Sequence, residues 1–388
     1  MRVLFLTHSF PRYAGDAAGS FILRLASALT DADVAVRVIT PAADGLAAVE
    51  RIGQVEVVRF RYAPRRFETL AYTGNMASQV RESWGARAAL AGLLLSASAA
   101  AIRHVRDFTP DLIHAHWWFP NALVGDVARR ITRTPMVTTF HGTDIRMARA
   151  YPVSRGTFRG VVRESVAVTA VSRWLAEEAH DMSGVTPIVA PMPVDTNSLT
   201  PFHGPARAGR LLFVGRLTAQ KGVDLLLHAL AALPSEMGLD VVGDGDERAR
   251  LESLAQSLGV SDRVVWHGTR PGHALASYYR AAAAVIVPSL DEGLGLVAVE
   301  AHLCETPVVA FASGGLTDVI EDGVTGILVQ QRQPAVLAAA VAQLLARPDR
   351  GAALGRAGRK WAFSRFDPSV VARRYIDIYR DGLGRTNR

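Results

Sequence analysis

Arg210-Leu-Leu-Phe-Val-Gly-Arg-Leu-Thr-Ala-Gln-Lys-Gly222 is an apolar run followed directly by a polar loop. The run ends at Gly215, Arg216 follows it directly, and we expect Lys221 to start the next helix. A loop that joins a parallel strand to its helix lies at the carboxyl edge of the sheet, where open α/β proteins bind ligands. The sequence therefore predicts that Arg216 and Lys221 occupy a ligand-binding edge.

A second junction of the same kind is Pro288-Ser-Leu-Asp-Glu-Gly-Leu-Gly-Leu-Val-Ala-Val-Glu300, which follows the apolar run 284–287. Its glycines let the backbone approach a ligand closely, and a helix that begins after them directs its first N–H groups at an anion. We therefore expect Gly295 and the amides of Leu296 and Val297 to face phosphate oxygens.

The whole chain alternates short Val- and Ile-rich runs with longer segments of helical period. This pattern is typical of parallel strands joined by helical crossovers. At 388 residues the chain exceeds the size at which one core keeps growing, so we expect two domains. The predicted strands are 2–7, 34–39, 55–60, 111–115, 136–140, 166–171, 187–190, 210–215, 239–242, 263–267, 284–287, 307–310 and 326–329.

A segment rich in Pro, Gly, Ser, Thr and Asn divides the chain. It predicts a first domain over 1–192, a linker over 193–209 and a second domain over 210–365. The pattern is helical throughout 348–379, and we expect 366–388 to form a helix that packs back across the junction. The predicted fold class is α/β, with two doubly wound, Rossmann-like domains that face a cleft.

Composition and charge exclude several classes of protein. An apolar fraction of 49% and a charged fraction of 20% indicate a globular chain. The net charge is +7, but the basic residues are dispersed and no nucleic-acid-binding motif occurs, which argues against a nucleic-acid partner. The single cysteine, Cys304, fits a reducing compartment, and the first apolar run is shorter than a signal peptide, so we expect a cytoplasmic location.

Two segments introduce the alternative of peripheral contact with an anionic membrane at its inner face. Fifteen uncharged residues rich in Ala and Leu lie between Arg87 and Arg103, fewer than the ~20 needed to span a bilayer. A buried helix is the simpler interpretation, and a membrane-contacting helix is the alternative. Upstream, Arg65 and Arg66 lie among aromatic residues and can rest on anionic lipid or belong to an exposed strand end.

Lysine is scarce in this chain. Only Lys221 and Lys360 are lysines among the 43 Lys and Arg residues. Arg216 and Lys221 can converge on one diphosphate, the first as a planar fork and the second as a point charge. The alternative is a surface pair that satisfies carboxylates elsewhere. Glu300 can accept hydrogen bonds from both ribose hydroxyls or lie on a solvated helix face, and Glu292 can accept from sugar hydroxyls.

These residues resemble the retaining glycosyltransferases of family 4, which have the GT-B fold, over nearly the whole chain. The matching motifs are Val214-Gly-Arg-Leu with Lys221-Gly, Pro288-Ser to Glu300, His141-Gly-Thr-Asp144, Gly243-Asp-Gly245 and Asp322-Gly-Val-Thr-Gly326. The resemblance implies a hexosyltransferase-type enzyme, such as one of polysaccharide biosynthesis. It also implies that the enzyme takes a sugar from a nucleotide diphosphate, retains its anomeric configuration and needs no metal or other cofactor.

The resemblance also implies roles for individual residues. Arg216 and Lys221 stabilise the departing diphosphate, Glu300 holds the ribose and Glu292 contacts the donor sugar. His141 follows the strand 136–140 and lies beside the donor sugar, with a capping histidine as the alternative. The other residues assigned to the donor site are Gly215, Gly243, Gly295, Leu296 and Val297.

The loop 10–20 departs from the paired glycines that are common in the family. The pair would fall at Asp16 and Ala17, with Gly15 and Gly19 on either side. We expect these two glycines to let the loop approach the donor.

On the acceptor side, Asp144 contacts substrate, orients its loop or caps the following helix. Trp117 and Trp118 either stack on the acceptor or pack in the core. His114 and His116 share a strand face but lack a third ligand, so we expect no metal site there.

The sequence indicates the type of reaction more narrowly than it indicates the substrates. The expected donor is a UDP-sugar, with a GDP-sugar next, and the acceptor is a hydroxyl of a glycan, a glycolipid or a small molecule. The alternatives are a sugar-nucleotide epimerase or glycosyl phosphorylase on the same scaffold, or a non-catalytic nucleotide-sugar-binding protein. The presence of Glu292 and His141 beside Arg216 and Glu300 favours an enzyme.

Overall fold

The structure is a computed structural model that describes residues 1–13, 15–72, 76–201 and 209–386. Its chain forms two compact units. The first unit is Met1–Pro193 together with Pro368–Arg388, and the second is Val194–Asp367.

The described part of the first unit contains a mostly parallel sheet covered by helices. Its strands are β1 (Arg2–Leu6), β2 (Ala35–Pro41), β3 (Val49–Ile52), β4 (Val55–Phe60), β5 (Leu112–His116), β6 (Met136–Phe140), β7 (Ala167–Ala170) and β8 (Ile188–Val189). Its helices are α1 (Ser20–Thr30), α2 (Met76–Glu82), α3 (Trp84–Phe108), α4 (Leu123–Thr132), α5 (Thr143–Ala150), α6 (Arg155–Glu164), α7 (Arg173–Ser183) and, from the end of the chain, α15 (Pro368–Thr386). The sheet order is β3-β4-β2-β1-β5-β6-β7-β8, and every neighbouring pair is parallel except β3 with β4.

The described part of the second unit contains a fully parallel sheet. Its strands are β9 (Arg210–Val214), β10 (Gly238–Val242), β11 (Val264–Gly268), β12 (Ala284–Val287), β13 (Val308–Phe311) and β14 (Ile327–Val329). Its helices are α8 (Val223–Ala231), α9 (Arg248–Ser257), α10 (Gly272–Ala281), α11 (Leu296–Leu303), α12 (Leu316–Val319), α13 (Pro334–Leu345) and α14 (Pro348–Phe366). The order β11-β10-β9-β12-β13-β14 places β9 between β10 and β12. Because these strands are parallel, the loops that follow them lie side by side at the carboxyl edge of the sheet.

This architecture confirms the predicted fold class, with two parallel-sheet, Rossmann-like units. All thirteen predicted strands are present, and their ends agree within two residues. The exception is β3, which the sequence pattern does not predict. It is a four-residue edge strand, joined to β4 by a tight turn in which Gly53 has φ +60°, and it carries no buried side chain. Because it buries so little, it lacks the apolar alternation that marks a strand.

The helical region after Pro348 is two helices rather than one. They meet at Asp367, which is extended with ψ 134° because the residue before a proline avoids the helical region. The carboxylate of Asp367 accepts a hydrogen bond from the Thr196 hydroxyl at 2.9 Å. The break therefore leaves α14 in the second unit and α15 in the first.

Two tyrosines fix α15 within the first unit. The Tyr375 hydroxyl donates to the carbonyl oxygen of Ala190 at 3.0 Å. The Tyr379 hydroxyl lies 2.7 Å from Nδ1 of His114 on β5. All of these groups are buried, so α15 is part of the first unit's core.

Residues 194–201 of the predicted linker belong to the second unit. The guanidinium of Arg280 donates to the carbonyl oxygens of Ser198 and Thr200, and Leu199 is buried. Residues 202–208 of the predicted linker lie outside the described residues.

The apolar segment expected to form a buried helix lies within α3, and this helix is buried on one face only. Among the described residues, α3 is the one helix that is long and apolar enough to cross a membrane when judged by length and composition alone. Its other face is exposed to solvent.

Candidate active site

Glycines bring the loops of the second unit into backbone contact at the carboxyl edge of its sheet. A methyl group added at Gly243 would lie 1.9 Å from the carbonyl oxygen of Gly215. One added at Gly245 would lie 2.3 Å from the carbonyl oxygen of Leu217. The loop after β10 therefore packs directly on the loop after β9, and side chains at Gly243 or Gly245 would separate them.

The loop after β9 is also fixed to the loop after β12. A methyl group at Gly222 would lie 2.2 Å from the carbonyl oxygen of Pro288, so only glycine fits there. The Gln220 side chain donates to the carbonyl oxygen of Asp291 at 2.9 Å, and the Leu290 amide donates to the carbonyl oxygen of Gln220 at 2.8 Å. These contacts place the two predicted motifs side by side.

Lys221 does not start α8 as expected, because Gly222 in the left-handed region separates it from the helix. From this loop Lys221 meets Glu292. The ammonium Nζ of Lys221 donates to Oε2 of Glu292 at 2.6 Å. The exposed fractions of the two side chains are 23% and 16%, so water screens the pair only partly. Arg216, just after β9, is exposed at the same edge. The site therefore combines a braced ammonium with a solvent-accessible guanidinium.

The N-terminus of α11 lies where the sequence predicts it. The helix begins at Leu296 after Gly295, whose φ of +89° favours glycine. A methyl group at Gly295 would also lie 2.6 Å from Cδ2 of Leu316. The first amides of a helix have no partner within it, so those of Leu296 and Val297 can bind an anion.

Tyr279 is a site residue that the sequence analysis missed. Its hydroxyl donates to Oε2 of Glu300 at 2.7 Å. Burial raises the pKa of Tyr279 well above its usual value, and the neighbouring Glu300 raises it further, so the hydroxyl stays protonated and remains a donor. The bond fixes the orientation of the Glu300 carboxylate. It arises from the packing of α10 beside α11, which no local motif reveals.

In the first unit, two histidines meet at the carboxyl edge of the sheet. His116 ends β5 and His141 follows β6, and Nδ1 of His116 lies 3.1 Å from Nε2 of His141. Burial, followed by neighbouring histidines, lowers the pKa of both rings well below the usual 6.5. Both rings are therefore neutral at neutral pH, so in this hydrogen bond one donates and the other accepts.

The surroundings of His116 indicate which ring donates. Its Nε2 is buried and has no hydrogen-bond partner among the described residues. A buried N–H without a partner costs more free energy than a lone pair without one. We infer that His116 carries its proton on Nδ1 and donates to His141. His141 then keeps its proton on Nδ1, which makes that nitrogen a hydrogen-bond donor rather than a base.

Asp144 connects the loops that follow β5 and β6. Its Oδ1 accepts from the amides of His141 and Gly142 at 3.1 and 3.0 Å, and its Oδ2 accepts from the Trp118 amide at 3.2 Å. Burial raises the pKa of Asp144 to about 6, although these amides favour the charged form. Of the expected roles, the geometry favours that of orienting the His141 loop.

The two tryptophans after β5 are core residues. Trp118 is 2% exposed, and its indole N–H donates to the carbonyl oxygen of Asp144 at 2.8 Å. Trp117 is 8% exposed, donates to the Thr143 hydroxyl and packs against the ring of His141 at 4.5 Å between ring centroids. Packing therefore describes both residues better than stacking on an acceptor.

The glycines of the loop 10–20 differ from each other. Gly19 has φ +67°, and a methyl group there would lie 2.1 Å from the carbonyl oxygen of Ser9, so it closes the loop at the start of α1. Gly15 has φ +87° and is exposed. Between them, Asp16 is buried and accepts from Nε of Arg12 at 2.7 Å. Ala14 lies outside the described residues.

Across the part of the chain that the structure describes, no group of three or more His, Cys, Asp or Glu residues is placed to hold a metal ion. Nε2 of His114 lies 2.6 Å from the Thr139 hydroxyl.

Two family models match the chain. Glycosyltransferase Family 4 matches residues 18–198, and Glycosyl transferases group 1 matches residues 205–361. The motifs after β9 and β12 fall within the second match.

Curated relatives support the same assignment. The D-inositol 3-phosphate glycosyltransferase of Xylanimonas cellulosilytica is 35% identical over 330 residues, which cover 76% of this chain and 78% of the relative. The protein of the same name from Geodermatophilus obscurus is 34% identical over 373 residues, covering 86% and 79%.

Solved structures share the fold over almost the whole length. Sucrose-phosphate synthase from Thermosynechococcus elongatus has a TM-score of 0.81 and 25% identity, with 98% of each chain covered. Anabaena HepE in complex with UDP-glucose has a TM-score of 0.73 and 23% identity, with 98% of this chain and 99% of that chain covered. The predicted family, fold and enzyme class are thereby confirmed, and this chain belongs to the group 1 glycosyl transferases of family 4.

Proposed function

We propose that this glycosyltransferase moves a sugar from a nucleoside diphosphate to a hydroxyl acceptor, with retention of anomeric configuration and without a metal ion. The observation that carries the proposal is the 2.6 Å contact between Lys221 and Glu292 at the carboxyl edge of the second sheet. It joins one group suited to a phosphate and one suited to a sugar hydroxyl.

The leaving diphosphate is the group that most needs stabilisation. When the bond to the sugar breaks, negative charge develops on the phosphate oxygens. Cations and amides fixed in place beforehand stabilise that charge without reorganising. Lys221 is braced by Glu292, Arg216 is exposed close by, and the amides at the start of α11 add partial positive charge. This set performs the task that a divalent cation performs in metal-dependent transferases.

The remaining contacts select the donor. The Glu300 carboxylate can accept hydrogen bonds from two ribose hydroxyls while its Oε2 also accepts from the Tyr279 hydroxyl. The Glu292 carboxylate can accept from a hydroxyl of the donor sugar while it holds Lys221. We propose a UDP-sugar as donor, with a GDP-sugar next, because HepE, a protein of the same fold, is named in complexes with UDP and UDP-glucose.

For the acceptor, the first compound to test is D-inositol 3-phosphate, which appears in the names of several relatives. Glycan and glycolipid hydroxyls are the next class. In the first unit, the neutral His141 can donate a hydrogen bond to a sugar hydroxyl, and we assign it no role as a base.

Calorimetric titration with UDP, GDP, UDP-glucose and GDP-mannose tests the donor. We expect UDP-linked compounds to bind in the presence of EDTA, and Glu300→Gln to weaken binding at least ~10-fold because a charge-assisted bond is lost. Glu236→Gln, at an exposed position of the same unit, is the matched control and should bind as the wild type does.

Transfer is then followed by NMR of the anomeric proton with D-inositol 3-phosphate as acceptor. The proposal predicts an axial product from an axial donor, and equal rates with EDTA or Mg²⁺. An inverted product, or activity that depends on added metal, would overturn the corresponding part of the proposal.

A further inference from the structure

The outward face of α3 is apolar along most of its length. We call Trp84, Ala88, Ala91, Leu95, Ala99 and Ile102 the α3 outer stripe. Their spacing of three or four residues places them on one side of the helix over about 27 Å. Trp84 is 81% exposed and Leu95 is 74% exposed. A contiguous apolar surface of this length on a solvent-exposed face marks an interaction site.

The opposite face of α3 accounts for the packing of the helix. Ala86, Ala89, Leu93, Ala97 and Ala101 are buried at the same helical spacing. The core of the first unit therefore holds α3 in place without using the outer stripe, and the exposed residues contribute nothing to it.

Arginines and aromatic rings cluster at the N-terminal end of the stripe. The guanidinium of Arg87 lies over the Trp84 ring at 4.5 Å, and that of Arg66 lies over the Phe67 ring at 4.8 Å. A methyl group at Gly85 would lie 3.9 Å from the Phe67 ring, so this ring reaches the start of α3. Exposed rings paired with cations are characteristic of the interface between water and lipid.

The C-terminal end of the stripe carries two more arginines. A shallow cavity of about 550 Å³ is lined there by Ala99, Ile102, Arg103, Arg106 and Asp107. Asp107 is held by Arg37 at 2.7 Å. From 83 to 106 the sequence contains no Asp or Glu. The cavity thus combines two guanidinium groups and an apolar floor with a carboxylate that Arg37 neutralises, and the remaining positive charge complements a phosphate attached to hydrocarbon.

We propose that the α3 outer stripe binds the surface of an anionic phospholipid membrane, with α3 lying parallel to it. The apolar side chains enter the boundary between headgroups and acyl chains, while Arg66, Arg87, Arg103 and Arg106 bind lipid phosphates at the two ends. The charge pattern favours lipid over a protein partner, because cations flank the apolar stripe at both ends, no carboxylate lies between residues 83 and 106, and Asp107 is paired with Arg37. This surface is separate from the donor site.

The test is co-sedimentation of the full chain with vesicles of phosphatidylglycerol or of phosphatidylcholine. We expect binding to the anionic vesicles alone, weakened as salt rises from about 0.05 to 0.5 M because the Debye length shortens. The double variant Arg103→Gln/Arg106→Gln should lose about 30-fold in partitioning. The double variant Arg373→Gln/Arg374→Gln, at exposed positions of α15, is the matched control and should partition as the wild type does.

The apolar part is tested separately with Trp84→Ser/Leu95→Gln. We expect at least a 10-fold loss of partitioning with no change in melting temperature, because neither side chain is part of the core. Val153→Ser, another exposed apolar position, should have no effect. Brominated lipids should quench tryptophan fluorescence of the wild type more than that of Trp84→Phe.

Two results would overturn the proposal. One is equal sedimentation of the wild type and both α3 variants with anionic vesicles. The other is a wild-type dimer in analytical ultracentrifugation that Trp84→Ser/Leu95→Gln converts to a monomer, which would assign the stripe to a second copy of the chain.

Discussion

The carboxyl edges of the two parallel sheets carry opposite kinds of polar side chain. In the second unit the edge holds ionised groups, with Lys221 and Glu292 in contact and Arg216 exposed. In the first unit the edge holds His116 and His141, which burial keeps neutral. The second sheet thus carries an ion pair at this edge, whereas the first carries a pair of neutral rings and an Asp144 carboxylate that accepts from backbone amides.

The two kinds of side chain suit different ligand groups. A diphosphate needs permanent positive charge, whereas a sugar hydroxyl needs a neutral donor or acceptor whose desolvation costs little. Burial disfavours the protonated form of His116 and His141, so these two rings supply hydrogen bonds without a charge. The comparison therefore predicts that the two units respond differently to pH and to mutation.

The largest expected effect is the loss of stability of the first unit in acid. Burial lowers the pKa of His8 to about 4 and that of His114 to about 3. The unfolded chain binds these protons near pH 6.5 and the folded chain does not, so stability present above pH 6.5 is lost as pH falls toward these values. At pH 5 each such histidine costs about 2 kcal/mol.

Two groups modify this expectation. Asp144, with its pKa raised to about 6, is a better proton acceptor when folded and offsets part of the loss between pH 6 and 4. In the second unit, burial lowers the pKa of His302 to about 4, so this histidine destabilises that unit as pH falls below 6.5. Hydrogen exchange at pH 7 and 5, corrected for the intrinsic rate, should show earlier loss of protection in β5 and β6. Earlier loss in β9 and β12 would contradict the comparison.

The next largest effect concerns the fixed charges of the second unit. Lys221→Ala should lower kcat/KM about 100-fold, because one preformed donor to the developing phosphate charge is lost. Arg216→Ala should have an effect of similar size. Lys360→Ala removes the other lysine, at an exposed position of α14, and should leave steady-state rates unchanged. Near-wild-type rates in both active-site variants would remove the charged edge from the mechanism.

A smaller effect is expected from the residue that holds Glu300. Tyr279→Phe removes one hydrogen bond to a carboxylate and should raise the Kd for UDP about 10-fold, with little change in kcat. Tyr278→Phe is the matched control, because it removes the neighbouring tyrosine hydroxyl, which lies 3.4 Å from Nδ1 of His267. Calorimetry of both variants measures the difference, and equal Kd values would show that Tyr279 serves folding alone.

The smallest effect tests the neutral edge of the first unit. His116→Leu removes the donor to His141 and should lower kcat about 5-fold, the value of one neutral hydrogen bond. His116→Asn keeps an N–H near the same place and should restore most of the rate. In the wild type, ¹⁵N NMR of labelled histidines should find both rings protonated on Nδ1. A proton on Nε2 of His141 would refute the assigned tautomers.

The sequence predicted the strands and loops of both sheets because their apolar runs and glycines are local signals. It also identified Lys221 and Glu292, but for different parts of the donor. Their contact depends on β9 lying next to β12, which is a property of strand order rather than of either motif. Tyr279 was missed for the same reason, since its role comes from helix packing. The edge strand β3 was missed because it buries almost nothing.

The break at Asp367 has a consequence for how the chain matures. The first unit is assembled from two separate pieces of sequence, and the second piece, which supplies Tyr375 and Tyr379 to its interior, is synthesised after the second unit. The second unit is continuous and leaves the ribosome complete while the first still lacks its closing helix. We therefore expect the second unit to complete its fold before the first, which reverses the usual order of co-translational folding.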